Sequence, residues 1–135
     1  MDLANIVKKD TKEITLVLPN QTVIVNEDGT PMTITVHGIY SDKYRASSDE
    51  QQASRIKRAQ SSGGRLNLTP EEIRQDRLDF VVSLVDTWNV TIDRQKPDCT
   101  PKNVRDLFKR LDFIFRLVDS ELEEGQDFLE IRSKS

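Results

Sequence analysis

The sequence predicts an α+β fold: a small N-terminal antiparallel β meander packed on a mainly helical C-terminal part, with two strong helices and one solvated helix. Runs of β-branched residues separated by turn signals fill residues 10–39. Two helix starts of the form Thr-Pro, at Thr69 and Thr100, precede apolar residues at helical spacing. The 135 residues suit one domain, 1–135, which can bury a core without a metal or disulfide.

The β meander is predicted from three runs. Residues 13–18 and 22–25 flank a Pro-Asn-Gln turn signal, and an Asp-Gly pair precedes the third run at 32–39. The third run alternates between a polar face and an apolar face, the latter formed by Met32, Ile34 and Val36. One face of the small sheet therefore needs a covering layer.

Three helices are predicted after the meander. Residues 41–60 start with Ser41 as N-cap and hold few apolar side chains, so we expect a charged, solvated helix. A Ser-Ser-Gly-Gly run then predicts a flexible loop at 61–68. The second helix is predicted over 69–88 and the third over 100–124, each with a Thr N-cap followed by Pro.

The inventory of reactive side chains is small. One cysteine, Cys99, and one histidine, His37, exclude an internal disulfide and a Cys/His zinc site, so we expect a reduced, intracellular protein. These two residues could form a nucleophile pair, but a strand histidine and an isolated loop cysteine are more often structural. Asp93 and Asp98 could form a carboxylate pair, although adjacent basic residues favour solvated charge. We expect no catalytic residue, no cofactor and no metal.

Charge and hydropathy restrict the partners. The net charge is −3, yet residues 41–65 hold six Lys/Arg against three Asp/Glu. The basic stretch Arg55–Arg58, with Arg65 beyond, could contact phosphates or an acidic protein surface. It lacks interleaved aromatic residues, which disfavours nucleic-acid binding. No run of eighteen apolar residues predicts a membrane span, and the charged start does not resemble a signal peptide.

The predicted helix at 100–124 carries a wide apolar stripe. As core, it covers the meander and the second helix. As an interface, its extra width at Phe113 and Leu117 would bind another helix or a second copy of the chain. Both interpretations stay open here. The candidate partner-binding residues are Val104, Leu107, Phe108, Leu111, Phe113, Phe115, Leu117 and Val118.

Short motifs follow one another along nearly the whole chain. They are Leu-Val-Leu-Pro and Thr-Val-His-Gly in the β region, then Ser-Asp-Lys-Tyr-Arg, Val-Asp-Thr-Trp-Asn, Cys-Thr-Pro-Lys-Asn-Val-Arg-Asp-Leu-Phe and Gln-Asp-Phe-Leu. The motif residues singled out are Ser41, Tyr44, Trp88, Thr100, Pro101, Asn103, Phe128 and Leu129. In this order and spacing the chain resembles the tail assembly chaperones of long-tailed double-stranded DNA bacteriophages.

The resemblance implies a non-catalytic role in the host cell cytoplasm. Such chaperones bind the tape measure protein, a long helical and partly apolar chain, and keep it soluble until tube subunits polymerise around it. In many of them a longer form, made by programmed ribosomal frameshifting, recruits the tail tube protein, and neither form remains in the virion. A homo-oligomer is expected. The alternatives are a structural tail or head–tail connector protein retained in the particle, and a small DNA-binding regulator using Arg55–Arg65.

Overall fold

The computed structural model, which describes residues 2–64 and 68–132, contains a three-stranded antiparallel sheet and four α-helices. The elements, in chain order, are β1 (Ile6–Lys8), β2 (Thr11–Thr15), β3 (Thr33–His37), α1 (Asp42–Ser61), α2 (Pro70–Leu84), β4 (Val85–Asn89), α3 (Pro101–Arg110), α4 (Asp112–Glu123) and β5 (Leu129–Ile131). The predicted α+β class is confirmed. None of the helices in the described segments is long and apolar enough to cross a membrane.

Strand β3 is the centre of the main sheet, whose order is β2-β3-β4. Ile34 lies opposite Ile14 of β2 and Trp88 of β4. The predicted alternation in β3 is confirmed, since Ile34 and Val36 are 0% exposed while Thr33, Thr35 and His37 are half-buried. Strands β1 and β5 form a separate two-stranded antiparallel sheet, with Ile6 opposite Ile131.

The core takes apolar side chains from the sheet and from helices α2, α3 and α4. Its buried members are Ile14, Leu16, Ile34, Val36, Phe80, Val81, Val82, Leu84, Val90, Val104, Leu107, Phe108, Ile114, Val118, Leu122 and Phe128. None comes from α1, whose only buried residue is Ser47. Helix α1 therefore buries few of its side chains against the rest of the fold, although it is the longest helix described.

The helix caps form as the sequence predicts. The hydroxyl oxygens of Ser41, Thr69 and Thr100 accept hydrogen bonds from backbone N–H groups three residues on. Helix α1 matches the predicted charged helix at 41–60 to within one residue at each end. In the predicted loop 61–68, Ser61 belongs to α1, and Gly63 and Gly64 have positive φ. Residues 65–67 of that loop lie outside the described residues.

The β meander at 10–39 differs from the prediction in its strands. Residues 22–25 make only isolated bridges, Val17 with Val23 and Val25 with Pro31, and the third strand of the sheet is β4 instead. The chain turns at Asn20 and again at Gly29, so only short pairings form between residues 16 and 32. The pairing partner of β3 therefore comes from a segment about fifty residues further along.

The predicted helix at 69–88 is too long at its end. Helix α2 stops at Leu84, and Val85 takes up extended backbone angles as the start of β4. Val85 and Trp88 fit helical spacing equally well, but β-branched and aromatic residues also favour strands. The pairing of Trp88 with Ile34 across the sheet favours the strand over the helix for this segment.

The predicted helix at 100–124 is two helices. Leu111, with φ −126° and ψ 82°, ends α3 and immediately precedes α4. Its N–H donates to the Leu107 carbonyl and its carbonyl accepts from Ile114, so the break loses few hydrogen bonds. No glycine or proline marks this break in the sequence, which is why the apolar stripe reads as continuous.

Gly38 lies directly against the ring of Phe128. A Cβ on Gly38 would overlap the ring carbons Cγ, Cδ1 and Cε1 of Phe128, which is fully buried. The backbone N–H of Lys9 donates to the Phe128 carbonyl at 2.8 Å. Lys12 of β2 forms an ion pair with Asp127 at 2.5 Å. The segment that follows α4 is therefore tied to the first two strands by packing, backbone and charge.

We expect Gly38→Ala to destabilise the fold by about 1–3 kcal/mol, because the added methyl overpacks the Phe128 ring in a close-packed interior. Urea unfolding followed by circular dichroism measures the effect. The double variant Gly38→Ala/Phe128→Leu should lose less stability than the two single changes added together, since leucine vacates part of the ring volume. Strict additivity in this cycle would show that the methyl and the ring do not meet.

Candidate functional site

An apolar groove of about 600 Å³ opens between the end of the sheet and the start of the helical layer. Three parts of the chain form it: the turns after β2, the segment that joins β4 to α3, and the helices on either side of the α3–α4 break. This volume lies within the range of ligand and peptide-anchor pockets, about 300–1,000 Å³. The groove is therefore the leading candidate site within the described residues.

The floor of the groove is aliphatic. Its apolar lining consists of Leu16, Ile24, Met32, Val90, Ile92, Pro97, Leu107, Leu111 and Ile114. No aromatic ring and no titratable group lies among these floor residues, so the floor offers dispersion contact and the hydrophobic effect only. Such a surface suits aliphatic or aromatic side chains of a partner.

A tight turn forms one wall. Ile92 and Gln95 exchange two backbone hydrogen bonds, of 2.8 and 3.0 Å, around Asp93 and Arg94. Asp93 and Arg94 have φ of 51° and 65°, the left-handed region that a two-residue hairpin turn requires and that Asn-Gly or Asp-Gly usually supplies. The arginine is thus held in a strained conformation at the edge of the groove.

Several motif residues fix this wall. The indole N–H of Trp88 donates to the Pro97 carbonyl at 2.8 Å. The side-chain amide of Asn103 donates to the Asp98 carbonyl at 2.9 Å, and Thr100 caps α3 immediately before it. The residues that carry the family resemblance in this half of the chain therefore position the 90–100 segment beside the groove.

A buried asparagine supports the opposite end of the wall. Asn26 is almost fully buried, and its amide oxygen accepts a hydrogen bond of 2.6 Å from the Thr91 hydroxyl. Its amide nitrogen lies within hydrogen-bond distance of oxygens of Thr30 and Asn89. Both polar atoms of the Asn26 side chain therefore have hydrogen-bond partners, and these bonds connect the 26–30 turn to the end of β4.

The rim carries both signs of charge. Asp106 lies one turn before Arg110 on α3, and Arg110 reaches Asp93 across the mouth at 4.0 Å. Both members of this ion pair are largely exposed, so the pair contributes little to stability. The mouth can therefore open to a partner at small electrostatic cost.

The predicted partner-binding residues divide between the core and this groove. Val104, Phe108 and Val118 are buried in the core, which favours the core interpretation of the stripe over a partner face for these three residues. Phe113, Phe115 and Leu117 are half-buried against the core. The physical reason is that the sheet needs cover on one face and this stripe supplies it. The residues of the predicted set that line the groove are Leu107, which is buried, and Leu111, which is 38% exposed.

The remaining motif residues are structural in position. Ser41 caps α1, and Tyr44 packs edge-on against Phe80 with ring centroids 5.1 Å apart. Pro101 is the first residue of α3. Phe128 fills the space beside Gly38, and its neighbour Leu129 begins β5.

Three residues of the candidate chemical pairs lie near an ionisable group. Burial, then the nearby Asp86 carboxylate, raises the pKa of the Cys99 thiol, which disfavours the reactive thiolate. His37 lies 3.6 Å from Asp86 on the neighbouring strand. Asp93 faces Arg110. Across residues 2–64 and 68–132, no three His, Cys, Asp or Glu side chains are grouped to hold a metal ion.

The basic stretch of α1 is partly neutralised within the molecule. Arg55 and Arg58 both reach the Asp76 carboxylate of α2, at 3.4 and 2.8 Å. Arg65 lies outside the described residues. The single Asp76 carboxylate offsets one of these two positive charges, so part of the charge that a phosphate backbone would need is already paired.

Comparison of the chain with protein families, with curated proteins and with solved structures finds no match.

We expect Arg94→Gly to stabilise the fold by about 0.5–1 kcal/mol. Glycine removes a left-handed strain of about 1–2 kcal/mol per residue and adds a smaller entropic cost in the unfolded chain. Thermal unfolding should show a rise of a few degrees. Gln21→Gly, at a non-glycine turn residue elsewhere in the chain with φ 72°, is a parallel case and should shift the melting temperature in the same direction. A lowered melting temperature for Arg94→Gly would mean that contacts of the arginine outweigh its strain.

Proposed function

We propose that this protein is a tail assembly chaperone of a long-tailed bacteriophage, which binds the tape measure protein and assists tail tube polymerisation without catalysing a reaction. The observation that carries the proposal is the aliphatic groove, walled by a segment that the motif residues Trp88, Thr100 and Asn103 hold in place. A chaperone of this kind needs an apolar acceptor on a charged, soluble carrier. Charged residues make up 32% of the chain.

The groove suits segments of an apolar helix. A helix presents side chains at positions i, i+3, i+4 and i+7, and a groove of this size accepts one or two of them. Each aliphatic side chain buried on binding contributes about 1.5–3 kcal/mol, so one site alone gives weak, reversible binding. Many copies along one long client would add avidity and leave when tube subunits replace them.

The other parts of the proposal follow from the resemblance. They are a homo-oligomeric state, contact with the tail tube protein through a longer frameshifted form, action in the host cytoplasm and absence from the mature virion. Mass spectrometry of purified virions separates this proposal from a connector or tail protein retained in the particle. Stoichiometric presence in the virion would exclude the chaperone role.

We expect Leu111→Gln to weaken client binding about tenfold, because a polar amide replaces the exposed leucine of the groove. The measurement is the soluble fraction of co-expressed tape measure protein and its co-purification. Leu111 is preferable to Phe113 and Leu117 as a test position, since those two pack against the core and their loss would also disturb folding.

Ile73→Gln provides the matched control, because Ile73 is an apolar residue of a helix, 51% exposed, outside the groove lining. Both variants should retain wild-type circular dichroism and melting temperature. If Leu111→Gln keeps the client soluble as well as Ile73→Gln does, the groove is not the binding site.

A further inference from the structure

The far half of α1 has little apolar contact with the rest of the molecule. Ser47 is the last buried residue of the helix, and residues 48–61 contain none. The largest apolar side chain of this half, Ile56, is 53% exposed. A helical segment as short as residues 48–61 has only marginal stability in water by itself. Interactions other than apolar burial must therefore hold this segment against the rest of the molecule.

Three contacts between α1 and α2 meet at one residue. The side-chain amide of Gln51 donates to the Asp76 backbone carbonyl at 2.7 Å. The guanidinium groups of Arg55 and Arg58 donate to the Asp76 carboxylate at 3.4 and 2.8 Å. The Asp76 side chain is only 13% exposed, so these charge-assisted bonds are shielded from water more than surface pairs are.

The interface around Asp76 is loosely filled. A polar cleft of about 220 Å³ lies between the two helices and is lined mostly by Ser, Glu, Gln, Arg and Asp side chains, with Phe80 at its inner end. The Nε of Arg58 is buried without a hydrogen-bond partner among the described residues. An unfilled, imperfectly satisfied interface resists separation less than a close-packed one does.

The near half of α1 is anchored differently. Ser41 caps the helix, and Tyr44 packs edge-on against Phe80 of α2. The boundary between the apolar anchor and the polar half falls at Ser47, one turn before Gln51.

We propose that residues 48–61 form an arm that Asp76 latches to α2, and that this arm detaches from α2 as a unit while the core stays folded. Release frees Arg55 and Arg58 together and opens the cleft beside Phe80. The inference rests on the helix contacts alone and does not require the proposed chaperone function.

Amide hydrogen exchange followed by mass spectrometry on the full chain tests the latch. Asp76→Asn keeps the size of the side chain but removes its charge, and should speed exchange of residues 52–61 at least about tenfold. Exchange in β3 and α4 should not change. Unaltered exchange in 52–61, or an equal increase throughout the chain, would overturn the proposal.

Asp79→Asn is the matched control. Asp79 lies one turn further along α2 and pairs with Arg105 of α3 at 3.2 Å, so its loss should leave the arm unaffected. An equal increase in arm exchange in this variant would overturn the specific role of Asp76. Should Asp76→Asn fail to fold, the wild-type protein decides: residues 52–61 should exchange at least about tenfold faster than those of α4, and equal protection would refute the arm.

Discussion

Burial of the inner face of β3 is the constraint on which the rest of the structure depends. It is the one strand in the described sheet with partners on both sides, and Ile34 and Val36 lose all contact with water. Covering them takes the apolar residues of three helices, in a chain with only 36% hydrophobic residues. Helix α1 contributes none of the buried apolar residues of this core.

The groove results from the way in which helices α3 and α4 cover the sheet. Helices α3 and α4 meet at Leu111, and the break leaves a gap that the 90–100 segment borders without filling. The site is thus made by a discontinuity in the core layer and not by a face added to it.

Features that depend on neighbouring residues were predictable from the sequence. The pairing of strands that are far apart in the sequence was not. The caps at Ser41, Thr69 and Thr100 and the alternation in β3 depend on residues within a few positions of each other. The role of β4 depends on a partner fifty residues away, and its side chains fit two periodicities. The residues that line the groove are spread along the sequence from Leu16 to Ile114, so no motif of consecutive residues could have indicated its floor. Of the predicted partner set, the exposed Leu111 is at the groove because the helix breaks there.

The contact between Phe128 and Gly38 also affects the order in which parts of the fold form during synthesis. The ring that fills the space beside β3 and the strand that pairs with β1 are both encoded in the last tenth of the described chain. A ribosome that has made the sheet and the first three helices has not yet made the residues that close it. The first strand therefore has no partner in its sheet until the segment after α4 has been made.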